Sequence, residues 1–145
     1  MANEKLNPVE TKEFINSLES SLAVISVRTD EIIEIRFKKD EYEVDVSDQL
    51  EIEKIFLKLT NDGKISYHVL VIPGLYGGIT KEAREMEMFE SKAFKNQRSI
   101  AIVVRSLSAR LLGTLYFSLK KHKPNYPHKL FDSENKALQW IQQKQ

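Results

Sequence analysis

Val69-Leu70-Val71-Ile72, closed by Pro73-Gly74, and Ile100-Ala101-Ile102-Val103-Val104 are the two stretches on which the fold turns. Both are continuous apolar runs of strand length, the pattern of a β-strand covered on both faces, as in a parallel sheet. Each leads into a stretch with helical spacing that opens on a hydroxyl residue: Thr80 ahead of Ala83, Met86 and Phe89, and Ser106 ahead of Leu107, Leu111 and Leu115. Two parallel βα units follow, and right-handed crossovers set their helices against the sheet. Ala109 and Gly113, four residues apart, form a small-residue notch that suits close packing of the second helix on the sheet. Lys123-Pro124-Asn125-Tyr126-Pro127 cannot be helical, so His128 to Phe131 reads as a last short strand. Asp132 and Ser133 then cap a helix that buries Ala137, Leu138, Trp140 and Ile141.

Toward the N-terminus the pattern changes. Ile52, Ile55, Phe56 and Leu59 share one helical face, predicting a helix over roughly Asp48 to Thr60, with Gly63 where a left-handed residue is wanted. Leu22 to Arg28 and Ile32 to Phe37 are β-rich runs joined by the polar turn Thr29-Asp30-Glu31, a hairpin. In the second run Ile33, Ile35 and Phe37 alternate with Glu34, Arg36 and Lys38, so the charged face is expected to be wet. Tyr42, Val44 and Val46 repeat the alternation and are expected to complete a meander. Asn7-Pro8-Val9-Glu10 has the residues of a helix cap, which predicts a short helix to about Leu18 within an N-terminal extension over residues 1–20. The expectation is one α/β domain over residues 1–145, with a mixed sheet: an N-terminal antiparallel hairpin or meander and a C-terminal parallel βαβαβα.

Composition narrows the class of protein. The 145 residues are 41% hydrophobic and 30% charged, ordinary globular values, with no apolar run long enough to span a membrane. The N-terminus lacks an apolar leader and there is no cysteine, so cytoplasmic residence is expected, without disulfides or thiolate metal sites. Residues 1–62 hold 8 Lys/Arg against 15 Asp/Glu, and residues 63–145 hold 14 against 6, so the halves carry −7 and +8. Ser91 to Phe131 contains no acidic residue and nine basic ones. Within one small domain such halves can neutralise each other, which points to internal or self-complementary pairing rather than to nucleic acid.

The order of elements, with Val69-Leu-Val-Ile72, Thr80-Lys-Glu-Ala-Arg-Glu85, Ala101-Ile-Val-Val104, Arg110-Leu-Leu112 and Lys129-Leu-Phe131 followed by Ala137-Leu-Gln-Trp-Ile141, resembles the small bacterial STAS/SEC14-like proteins. The resemblance implies the SpoIIAA-like fold of the anti-sigma-factor antagonists. In those antagonists the loop after the central strand carries an Asp-Ser-Ser-Gly motif whose serine is phosphorylated. Here that place reads Gly77-Gly78-Ile79-Thr80-Lys81, with Thr80 as the one acceptor. A phosphate there would sit by a helix N-terminus near Lys81 and Arg84; the simpler role of Thr80 is an N-cap.

The remaining residues offer little chemistry. Gly74, Gly77 and Gly78 lie between a strand and a helix, but without the spacing of a dinucleotide or triphosphate loop, and read as turn-formers with positive φ. His68, His122 and His128 are too scattered for a metal site. No nucleophile elbow occurs, and Glu82, Glu85, Glu87 and Glu90 lie on helix faces that should be solvated. No catalytic residue, metal or cofactor is therefore assigned. The expectation is a non-enzymatic module that binds a protein partner, or itself as a homodimer, through Leu75, Tyr76, Gly77, Gly78, Thr80, Lys81 and Arg84. The SEC14-like alternative is a carrier with a small apolar ligand held between sheet and helices.

Overall fold

The computed structural model describes residues 13–107, 109–110, 113 and 123–144. Its strands are β1 (Phe14–Glu19), β2 (Ala23–Arg28), β3 (Ile32–Phe37), β4 (Glu41–Val44), β5 (His68–Ile72), β6 (Tyr76–Ile79), β7 (Ser99–Val103) and β8 (His128–Phe131). Its helices are α1 (Val46–Leu59), α2 (Lys81–Glu85) and α3 (Glu134–Gln143), with a 3-10 turn over Met88–Glu90. Leu107, Ala109, Arg110 and Gly113, between β7 and β8, are also helical. A six-stranded sheet runs in the order β1-β2-β3-β5-β7-β8, and β4 and β6 form a second sheet of two strands. The pairs β1–β2 and β2–β3 are antiparallel, while β3–β5, β5–β7 and β7–β8 are parallel. The two apolar runs thus lie side by side in the same direction at the centre of a mixed sheet.

Each face of this sheet has its own core. On one, Ile25, Ile33, Ile35, Val69 and Ile100 meet Ile52, Phe56 and Leu59 of α1 together with Phe89, Ala93 and Phe94. The Phe56 and Phe94 rings are 4.7 Å apart and tilted, and complete burial of a phenylalanine such as Phe56 is worth about 2–3 kcal/mol. On the other face, Ile32, Leu70, Ile72, Ala101 and Val103 receive Ala137, Leu138 and Ile141 of α3. Strands β5 and β7 supply side chains to both cores, which explains why their sequences do not alternate. Gly113 also follows the expectation of close packing on the sheet: a Cβ there would lie 3.1 Å from Cδ1 of Leu130 on β8.

Several expectations are corrected. The helix ending near Leu18 is replaced over Phe14–Glu19 by β1, while residues 1–12, which carry its cap signal, lie outside the described residues. Pairing decides here, because β1 sets Leu18 opposite Ile25 and joins Ser17 to Ser26 by a 2.7 Å hydroxyl bond, and tertiary contacts override a local cap. The third strand of the meander is therefore β1. Residues Glu41–Val44 leave the main sheet as β4, and Val46 opens α1 because Asp45 caps that helix, accepting from the Asp48 amide at 2.9 Å while Asp48 accepts from the Asp45 amide at 3.0 Å. The helical stretch after Thr80 is likewise shorter than its spacing suggests: α2 ends at Glu85, and Phe89 reaches the core from the 3-10 turn.

The charged face of β3 is only partly wet: Lys38 is exposed and Arg36 half-buried, but Glu34 is buried. Glu34 is 3% exposed and joins Arg36, whose Nε donates to it at 3.1 Å, with Arg28 3.6 Å away. Arg28 also grips Asp30 through two hydrogen bonds of 3.0 and 2.6 Å, and Arg36 reaches across to Glu134 of α3 at 3.0 Å. Charges at strand period are expected to be solvated; here that holds for Lys38, while Glu34 is buried and ion-paired with the half-buried Arg36.

Candidate functional site

All four parallel strands of the main sheet end at one rim. There β3 runs into β4 through Lys38-Lys39-Asp40, β5 into β6 through Pro73-Gly74-Leu75, β7 into Val104-Arg105, and β8 into α3 through Asp132-Ser133. Carboxyl ends of parallel strands are where open α/β sheets bind ligands. The residues singled out in the sequence stand at this rim, in β6 and at the start of α2.

Tyr76 is 70% exposed and Leu75 36%. Gly77, Gly78, Lys81 and Arg84 are exposed too, while Thr80 is half-buried. The structure therefore brings the seven together along one surface segment, but the segment is a strand rather than a loop. Tyr76 donates its amide to Asp40 at 2.7 Å and Thr80 to Val44 at 2.9 Å, so residues 76, 78 and 80 face β4 while the amide and carbonyl groups of Gly77 and Ile79 point away from it. Among the described residues no further strand pairs with that outer edge.

The glycines are needed for close approach rather than for positive φ, which among the described glycines only Gly63 has, at 80°. A Cβ on Gly77 would run into the Tyr42 ring, and one on Gly74 into the Lys39 carbonyl. Tyr42 is the fastening of the segment: its ring stacks on Phe37 with centroids 4.6 Å apart, and its hydroxyl accepts from the Gly74 amide at 3.0 Å. Burial raises the Tyr42 pKa and the nearby Asp40 adds to this, against the Gly74 bond, so the hydroxyl stays protonated. The Thr80 hydroxyl accepts from the Ala83 amide at 3.2 Å, the N-cap role.

Beside this segment the rim opens into a crevice of about 360 Å³ whose walls include Arg36, Lys39, Gly74, Arg105, Asp132 and Glu134. Burial works against the Arg36 charge, but the hydrogen bonds and charges of Glu34 and Glu134 outweigh it and raise its pKa. The Lys136 hydrogen bond holds Asp132 below the usual carboxylate range. Of these crevice residues the sequence singled out only Gly74, as a turn-former, and Asp132, as a helix cap, and it gave none of them a binding role. The available signal was positional: each follows, or closes, a strand of the parallel set.

A second cavity, of about 230 Å³, lies on the α1 face between β3, β5, β7 and the helical segments. Its described lining is apolar, Phe37, Ile52, Val71, Met88 and Ile102 among it, with Gln49 as the single polar side chain. The Gln49 amide is turned toward the Met88 sulfur at 3.0 Å.

Of the histidines, His122 lies outside the described residues and His128 sits on β8. His68 Nδ1 is 2.8 Å from Ser99 Oγ, a nucleophile–base spacing, but the two residues are 1% and 0% exposed and no substrate reaches them. Among the described residues no group of three or more potential metal ligands occurs, and no helix is long and apolar enough to cross a membrane. Three basic residues of the acid-free segment pair internally: Lys92 with Asp62 at 2.6 Å, Arg98 with Glu31 at 2.5 Å, and Arg110 with Asp132 at 3.9 Å.

The fold and rim define an α/β protein with a helix-covered mixed sheet, a charged crevice at the carboxyl ends of its strands, and a short accessory sheet beside it. Residues 25–145 match the family described as a domain of unknown function, DUF7793, and the chain belongs to that family. The matched stretch begins within β2. No curated protein and no solved structure is significantly similar to the chain.

Proposed function

We propose that this chain is a non-enzymatic, STAS-like module that recognises a protein partner along the outer edge of β6. The central parallel pair β5–β7, on which the resemblance to STAS/SEC14-like proteins rests, supports the kinship. The observation that carries the partner reading is the edge itself. Its outward backbone groups belong to Gly77 and Ile79, the strand bears no charge, and Tyr76 stands 70% exposed at its start. Edges are ordinarily guarded by charged side chains, as β4 is by Glu41 and Glu43, and an unguarded one can take up an added strand. A photo-crosslinking residue at position 76 tests this in the source cells: it should give a discrete protein adduct, whereas the same residue at the exposed Lys54 on α1 should not. No adduct at 76, or identical adducts at both sites, ends the proposal. A homodimer would appear as an adduct of twice the chain mass.

The apolar cavity on the α1 face supports a second reading, a carrier of a small apolar ligand. Gently purified protein should then carry extra mass in native mass spectrometry, and Ile102→Phe, which fills the cavity, should abolish it. A clean apo mass in the unaltered protein removes the carrier reading.

A further inference from the structure

Building on the carrier reading, we infer that the apolar cavity on the α1 face takes a small neutral amphiphile, an apolar body with a single hydroxyl, and that Gln49 reads its head group. The cavity's size and lining set the class. At about 230 Å³ it lies below the usual range for drug-sized ligands, and at the packing density of protein interiors it holds on the order of ten non-hydrogen atoms. Its described lining carries no charged residue, so a carboxylate or ammonium head would give up its water and gain no counter-ion. A wholly apolar wall would select by size and shape alone. This wall contains Gln49.

Gln49 shares the buried face of α1 with Ile52 and Phe56 and is 6% exposed. A side-chain amide in such a place is costly unless its hydrogen bonds are made. The one it makes runs from Nε2 to the Met88 sulfur at 3.0 Å, and sulfur is a weak acceptor. Met88 lines the same cavity, which sets the amide in the cavity wall. The amide oxygen is left without a bond but is not sealed off: among the described residues, the wholly buried side-chain atoms without a hydrogen-bond partner belong to Arg28, His68 and Glu134. A half-turn of the amide exchanges its oxygen and nitrogen, and a hydroxyl, donor and acceptor at once, matches whichever end is presented. This site is separate from the β6 edge, so its failure leaves the partner reading untouched.

The test is titration of the ¹⁵N-labelled full chain, near neutral pH, with 1-hexanol and benzyl alcohol, each beside its hydrocarbon, carboxylate and amine counterparts: hexane, hexanoate and hexylamine, toluene, benzoate and benzylamine. At least one alcohol should bind saturably and shift the amides of Gln49, Met88 and Ile102; whether chain or ring responds identifies the source of the ligand. The charged counterparts should bind roughly tenfold more weakly or worse, for want of a counter-ion. Gln49→Leu should weaken the alcohol about tenfold, the worth of one good hydrogen bond, and leave the matched hydrocarbon as tightly bound as before. If that variant does not fold, the charge series on the unaltered chain decides. The inference is overturned if neither alcohol shifts these amides, if a charged counterpart binds equally well, or if Gln49→Leu changes alcohol and hydrocarbon alike. Hydrocarbon binding without that preference leaves the carrier reading standing, whereas no binding by any member of the panel removes both.

Discussion

His68 shows how far one residue's surroundings outweigh its type. Burial lowers its pKa below the ordinary 6.5, and the positive charge of Arg98 lowers it further, against a smaller opposite influence of Glu31. The folded chain therefore binds that proton less readily than the unfolded chain. The sign follows: His68 leaves stability intact above about pH 6.5, and stability falls as the pH drops below the unfolded value and the unfolded state takes up a proton that the folded state refuses. Urea unfolding of the wild type and of His68→Asn, followed from about pH 8 to pH 5, should give curves that converge or cross as the wild type loses ground. Parallel curves would mean that His68 titrates as a free histidine. The sequence shows His68 only as one of three histidines too scattered for a metal site; what it lacks is Ser99, whose adjacency exists only because β5 and β7 pair.

At the scale of elements, β4 and β6 depend on one aromatic ring. Tyr42 spans the two, stacked on Phe37, bonded to Gly74 and lying where any side chain at position 77 would go. Gly77→Ala should therefore destabilise the protein by about 1–3 kcal/mol in urea unfolding, an overpacking penalty, and the penalty should shrink in a Tyr42→Ala background. An unchanged penalty there would remove Tyr42 as its cause. This pair also marks where local patterns stop being informative. The apolar runs of β5 and β7 were legible because burial on both faces writes itself into composition. The three glycines were legible as a break but not as a strand, since Gly77 accepts a ring that arrives from 35 residues earlier in the chain and Gly74 lies against the Lys39 and Asp40 backbone. The burial of Glu34 on β3 was missed for the same reason: alternation specifies which residues share a face, and only the fold specifies what covers it.

At the scale of the whole molecule, the acidic N-terminal and basic C-terminal portions are folded onto each other. Lys92, Arg98 and Arg36 each pair across that divide, with Asp62, Glu31 and Glu134. The crevice is beyond sequence reading because its residues come from four separate strand ends, and only the strand order makes them neighbours. The accessory sheet, finally, is the β3–β5 ladder resumed. Arg36 stands opposite Ile72 and Glu41 opposite Tyr76, so the two chains part after β3 and β5, one inserts a single extra residue, and they rejoin in the same direction. A zipper that restarts beyond a skipped tooth closes no new loop, so its closure carries little added entropic cost. For the same reason its register is inherited from the six strands beneath it, and Tyr42 pins the rejoined pair to them through Phe37 and Gly74.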